Sequence, residues 1–300
     1  MANYPTDRGE LIKILPRPTT FQVSRGRTCL TTTLEGVVDE SRPVEGLYVY
    51  DTRMLSRYKW RMNGKEPDFS CSSKIEQWSW CGYYIQAPEN CKSTPADECN
   101  PLEETVELRL TRQVGEGMHE DVDVTNHTQV PVRVTLELQY KYAFTSQEEA
   151  ESGRKQFGDL QVTWSEAEPG TWEQVADYHV EHEYSHQDES GVAKMHRGLL
   201  LRIQNATSPP QPGETSISFP IELEPHGEWH ACLSWFGSLE GNLMPLTFRC
   251  PWMQSGDFNH RRSELLRDCA EFSVPHGLDL TSQVDRVLRR CRMDLADLRL

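Results

Sequence analysis

Three absences narrow the field. No run approaches the ~18 consecutive apolar residues that a membrane-spanning helix needs, and the opening "MANYPTDRGELIKILPRP" lacks the apolar stretch of a secretory leader. Basic residues are scarce, with 31 Lys and Arg against 46 Asp and Glu, a formal net charge of −15 and no long basic cluster. Such a surface repels phosphate backbones and anionic bilayers, which argues against nucleic acid and membrane partners. C-x-x-C pairs are missing too: Cys71, Cys81, Cys91 and Cys99 are spaced as in neither a zinc ribbon nor a small disulfide scaffold, and read as buried free thiols. A soluble, cytoplasmic chain is expected.

What is present is a long, aromatic-rich chain. Its 300 residues include eight Trp and ten Tyr, ample for one large core or two ordinary ones. The strongest pattern has period two, which puts alternate side chains on one face of a strand. In "VPVRVTLELQYKY", Val130, Val132, Val134, Leu136, Leu138, Tyr140 and Tyr142 alternate with polar residues. The same holds for Val106, Leu108 and Leu110, for Ile217, Phe219, Ile221 and Leu223, and for Trp229, Ala231, Leu233 and Trp235. Many such strands separated by Gly, Pro and Asn turns predict a mainly β chain, an antiparallel β-sandwich. Asn63-Gly64, after Tyr58, Trp60 and Met62, predicts a two-residue hairpin turn; residues 89–101 predict a surface loop.

Beyond about residue 250 the period becomes helical. Phe258, Leu265, Leu266, Cys269 and Phe272 suggest one helix, and Val284, Val287, Leu288, Cys291, Leu295 and Leu298 form the apolar stripe of another, with Ser282 and Asp285 fitting a capping box. That stripe still runs at Leu300, so residues 1–250 are expected to form the sandwich and 251–300 a helical lead into a further domain.

One string invites a metal reading. "HEYSH", from His182 to His186, spells the H-E-x-x-H of zinc peptidases, which works because a helix sets both imidazoles on one side with the Glu beside the metal-bound water. Here "ADYHVEHEYSH" alternates as a strand. Residues four apart would then lie about 13 Å from each other at ~3.3 Å per residue, with Glu183 on the opposite face. Val192 stands where a metzincin has its third histidine. His179, His182, His186 and His196 are therefore read as polar residues of a sheet face, and no metal or other cofactor is assigned.

The stretch "EGLYVYDTRMLSRYKWRMNGKEP" is more specific. Through Gly46, Leu47, Asp51, Thr52, Arg53, Leu55, Ser56, Asn63 and Gly64 it resembles the GLF-x-x-DTR-x-LS signature, closed by NG, of the bacterial and archaeal amylo-α-1,6-glucosidase (glycogen debranching enzyme-like) family, in its N-terminal domain. "FQVSRGRTCL", "YKYAFTSQEEA" and "RVLRRCRMDLADLRL" resemble that family's opening strand, its D-F-A-D segment and the first helix before its catalytic domain. Tyr142 and Thr145 depart from the two Asp of that D-F-A-D segment. The resemblance implies a supersandwich-like β-domain followed by an (α/α)6 barrel that carries the hydrolytic carboxylates, so no catalytic residue is assigned to these 300 residues. It implies that barrel as partner, with α-glucan as a further ligand.

Two groups of residues remain as candidate sites. Gly46, Asp51, Thr52, Arg53 and Ser56 read first as a structural turn, through an Asp–Arg pair or turn-pinning hydrogen bonds, and second as an interdomain contact. Trp78, Trp80 and Tyr84 share a strand face in "QWSWCGYY", and read as sandwich core, as a platform for pyranose rings, or as a surface against the barrel. Three functions follow: a non-catalytic domain of a debranching-type hydrolase, a stand-alone carbohydrate-binding module, and a zinc hydrolase built on HEYSH.

Overall fold

The computed structural model of the chain describes residues 20–87, 105–153, 158–186, 189–213, 215–246, 263–271 and 281–297. The expected loop at 89–101 lies outside these, as do Cys91, Cys99, Phe258, Phe272 and Leu298. The seven-stranded first sheet holds β1 (Thr20–Arg25), β2 (Thr28–Thr33), β3 (Gly46–Val49), β4 (Thr52–Met62), β9 (Val132–Ser146), β14 (Ser216–Leu223) and β13 (Gln211–Pro212), in that spatial order. The nine-stranded second sheet runs β10 (Asp159–Glu168), β11 (Thr171–His186), β12 (Glu189–Gln204), β15 (Glu228–Leu239), β8 (Gly117–Asn126), β7 (Val106–Val114), β6 (Ser79–Gln86) and β5 (Asp68–Glu76), with the short β16 (Asn242–Leu243) also paired to β15. All pairings are antiparallel. The architecture is the antiparallel β-sandwich that the alternation predicted.

The alternating residues are what close it. Leu136, Leu138 and Tyr140 of β9, Ile217 and Phe219 of β14, Leu108 and Leu110 of β7, and Leu233 and Trp235 of β15 are buried in one shared core. Burying each large apolar side chain contributes roughly 1.5–3 kcal/mol, which drives the two inner faces together. Aromatic rings lock the layers: Trp235 meets Tyr58 and Tyr140 edge-on at centroid distances of 5.8 and 5.4 Å, and Phe144 stacks on Tyr178 at 5.3 Å. Val130, by contrast, precedes β9 and is exposed.

The Asn63-Gly64 turn forms as expected, with φ of 51° and 74° and Met62 and Lys65 exchanging backbone hydrogen bonds. It does not join two paired strands. After it the chain leaves the first sheet for β5 of the second, and β4 pairs with β3 and β9.

The helices are α1 (Gln147–Ser152), α2 (residues 263–268) and α3 (Thr281–Asp297). Ser146 and Glu149 cap α1 reciprocally. The capping box expected at Ser282 is not formed, because Ser282 lies inside α3 and Asp285 pairs with Arg289 at 3.0 Å. Arg290 ties α3 to β5, bonding Ile75 O at 3.1 Å and Glu76 at 3.2 Å. Val284, Val287, Cys291 and Leu295 face outward. The thiols divide: Cys81 and Cys232 are buried, whereas Cys71 and Cys291 are exposed, which corrects the reading of Cys71. No helix among the described residues is long and apolar enough to cross a membrane.

Candidate functional site

The family-like motif is a β-hairpin corner. Tyr50 and Asp51, at φ 49° and 64°, make the two-residue turn between β3 and β4, whose ends pair Val49 with Thr52. Asp51 is exposed on this turn, while Thr52, Arg53 and Ser56 are buried. Arg53 donates from Nη2 to Arg42 O at 3.0 Å, and burial lowers its pKa. Gly46 makes room for it: a Cβ there would lie 2.9 Å from Arg53 Nε and 2.7 Å from Leu55 O. Ser56 Oγ reaches Lys141 O at 3.5 Å.

Trp80 and Tyr84 lie inside the sandwich, 2% and 6% exposed, with Trp78 half-buried against the same core. The enclosed rings of Trp80 and Tyr84 offer no face to a sugar. Trp80 instead covers a buried ion pair in which Arg112 Nε meets Glu120 Oε1 at 2.6 Å, with the guanidinium 4.9 Å from the Trp80 ring and 5.0 Å from that of Tyr58. Glu120 also accepts from Tyr58 Oη and, at 3.2 Å, from Trp60 Nε1. Burial, then the Glu120 charge, pushes the Tyr58 phenol well above its ordinary range.

HEYSH lies on β11, which pairs His182 with Ala193 and Glu183 with Val192 across the β11–β12 hairpin. The helical geometry of a zinc peptidase is therefore absent from this string. Further along the same hairpin His179 and His196 stack at 4.0 Å, and both point Nε2 at the Asp177 carboxylate.

The densest chemistry sits where the polar alternates fall, on the face of the second sheet turned away from the core. Cross-strand pairing sorts it into rows. One runs Tyr83, Arg109, Asp123, His230; the next Cys81, Thr111, Asp121, Cys232; the third Gln113, His119, Ser234, Arg202, Glu173. His119, Asp121, Cys232 and Ser234 are buried although they face away from the core. His119 meets Ser234 Oγ with Nδ1 at 3.0 Å and Asp121 Oδ1 with Nε2 at 3.1 Å. His230 meets Asp123 Oδ1 with Nδ1 at 2.7 Å and Cys232 Sγ with Nε2 at 3.1 Å, and Arg109 grips Asp123 from the other side at 2.9 Å. Asp123 is partly desolvated, but the hydrogen bonds from His230 and Arg109 prevail and hold its pKa down; its own bond to His230 raises that imidazole. The alternation that marks the apolar half of each strand says nothing of these residues, which fall on the other half. The visible signal was the other half: H-x-D-x-D over 119–123 and H-x-C-x-S over 230–234, in place of the usual Thr, Lys and Glu of a solvated face.

A sequence profile of the N-terminal domain of (some) glycogen debranching enzymes matches residues 23–234. No curated protein matches. Among solved structures, a galactose mutarotase-like protein from Lactobacillus casei ATCC 334 is 9% identical, over 73% of this chain and 100% of that one, with a TM-score of 0.38. A galactose mutarotase related enzyme from Lactobacillus acidophilus is 8% identical over 76% and 100%, at 0.37, and the Slr1438 protein from Synechocystis sp. PCC 6803 is 10% identical over 75% and 97%, at 0.39. The matched span runs from within β1 into β15 and takes in both sheets, and the chain belongs to the family of N-terminal domains of glycogen debranching enzymes.

Proposed function

We propose that this chain is the non-catalytic β-sandwich domain of a debranching-type hydrolase, with residues 1–250 as the sandwich and 251–300 as the helical lead toward an (α/α)6 barrel that cleaves α-1,6-glucan branches. The family match across both sheets carries the reading. The outward apolar row of α3, Val284, Val287, Cys291 and Leu295, supports a helical partner, because such a face gains free energy when another helix covers it. The sandwich would then act in the cytoplasm as a wall of the glucan cleft. The stand-alone carbohydrate module loses its main support, since Trp80 and Tyr84 are enclosed.

The test is hydrolysis of a glycogen limit dextrin by the 300-residue chain, alone and joined to its helical barrel. Branch cleavage is expected only in the joined form. Glucose release by the chain alone would sink the reading, as would a joined form indifferent to removal of the sandwich.

A further inference from the structure

We propose that His119, Asp121, His230 and Cys232 form a zinc site that clasps β8 to β15 on the outer face of the second sheet. Adjacent antiparallel strands supply two donors each, two residues apart on the same face, with Asp121 directly opposite Cys232. This is the convergence that HEYSH, four residues apart along a single strand, cannot achieve.

The distances bring three of the four donors together already. In tetrahedral zinc with bonds of 2.0–2.3 Å, neighbouring donor atoms stand roughly 3.3–3.7 Å apart. Here Asp121 Oδ1 is 3.1 Å from His119 Nε2 and 3.4 Å from Cys232 Sγ, and Cys232 Sγ is 3.1 Å from His230 Nε2. His119, Asp121 and Cys232 all lie within 4.8 Å of one another. An ion would enter by spreading the contacts of this trio a few tenths of an ångström and drawing in His230 Nε2, which stands against Cys232 Sγ but outside the trio.

The outer partners are in place as well. A zinc-bound histidine normally carries its proton on the far nitrogen and donates it to an oxygen, which fixes the tautomer and aims the near lone pair. His230 Nδ1 faces Asp123, itself held by Arg109, and His119 Nδ1 faces Ser234 Oγ. With those protons outward, the donors beside Asp121, Cys232 and His230 Nε2 are the thiol hydrogen and Asn205 Nδ2, 3.6 Å from Cys232 Sγ, in a place that is buried apart from the partly exposed His230. A divalent ion would engage one lone pair from each of the four residues. Its entry releases the thiol proton to solvent, and thiolate plus carboxylate balance its two charges. The thiolate and imidazoles favour zinc over the hard cations calcium and magnesium.

The readout is metal rather than glucan cleavage, so it stands or falls apart from the debranching reading. The purified chain, loaded with zinc and passed through gel filtration, is expected to hold zinc in a 1:1 ratio by mass spectrometry. Cobalt(II) in its place should give a sulfur-to-cobalt charge-transfer band that Cys232→Ser abolishes. Asp123→Asn should weaken zinc binding by about 10–100-fold through His230 alone, and His182→Ala should change nothing. Should Cys232→Ser fail to fold, the unaltered chain still decides through Asp123→Asn. The proposal is overturned by a chain that retains no zinc, by a cobalt band that survives Cys232→Ser, by Asp123→Asn binding as tightly as the unaltered chain, or by loss of the metal on His182→Ala.

Discussion

At the scale of single residues the sandwich core holds one large electrostatic commitment. Arg112 and Glu120 are 1% and 0% exposed, and each depends on the other for its charge to be tolerable. Glu120→Leu leaves a buried guanidinium unpaired and strips the acceptor from Tyr58 and Trp60, so a loss of about 3–5 kcal/mol is expected in urea unfolding. Adding Arg112→Met should return most of that loss, because a buried ion pair gives little net stability over apolar groups of similar volume. If the double variant is no better than the single one, the cost lies in the Tyr58 and Trp60 hydrogen bonds instead. Asp51 makes a sharper case, since its conformation and its chemistry can be separated. Asp51→Val forces a β-branched residue to a φ of 64° and should cost about 1–3 kcal/mol, whereas Asp51→Gly keeps the turn and should stay within about 0.5 kcal/mol. A lower hydrolysis rate in the joined enzyme carrying Asp51→Gly, with the melting temperature unchanged, would place the exposed carboxylate in an interdomain contact.

At the scale of elements, one acid adds a charged tie between the loop after β2 and the first sheet. Glu40 bonds Lys141 of β9 at 2.9 Å and also Arg57 of β4, and the Lys141 bond leads in holding its pKa below the ordinary 4.5. Because the folded-state value is depressed, this contribution is present above pH 4.5 and is lost as the pH falls through the lower folded value. Glu40→Gln should thus lower stability by ~0–1 kcal/mol at neutral pH, with the difference from the unaltered chain closing as the pH falls through the depressed folded-state value. A gap that persists in acid would mean that shape rather than charge joins these elements. Strands such as β7, β9, β14 and β15 were legible because every second residue is an apolar one turned to the core. Their neighbours were not: β4 lies beside β9 across the 69 intervening residues 63–131, in a register set by the closed sandwich. Asn63 shows the same limit. Its turn chemistry could be read locally, yet its side chain accepts from Thr135 N at 2.8 Å and so anchors the crossover to β9, a contact that no local pattern encodes.

At the scale of the whole molecule, two faces remain to be explained by something other than the core. The polar rows of the second sheet are spelled out in the sequence, but their meaning depends on which strands are neighbours; HEYSH, contiguous and conspicuous, is a string whose spacing along a single strand cannot chelate. The apolar row of α3 was legible in full, since helical period needs no partner to be seen, but its exposure is a property of the folded chain. Val287 and Leu295 are 60% and 70% exposed, and both stand clear of the α3 contacts to Ile75 and Glu76 made by Arg290. In the isolated chain such a face should associate with its own copies, and light scattering should report species larger than a monomer at high concentration. Val287→Asp with Leu295→Lys should restore a monomer while leaving the sandwich melting temperature unchanged, because neither residue enters the core. In the chain joined to the proposed barrel the same pair should loosen the two domains and expose the segment between them to protease. A joined enzyme as resistant as its parent would show that the helical partner covers some other surface.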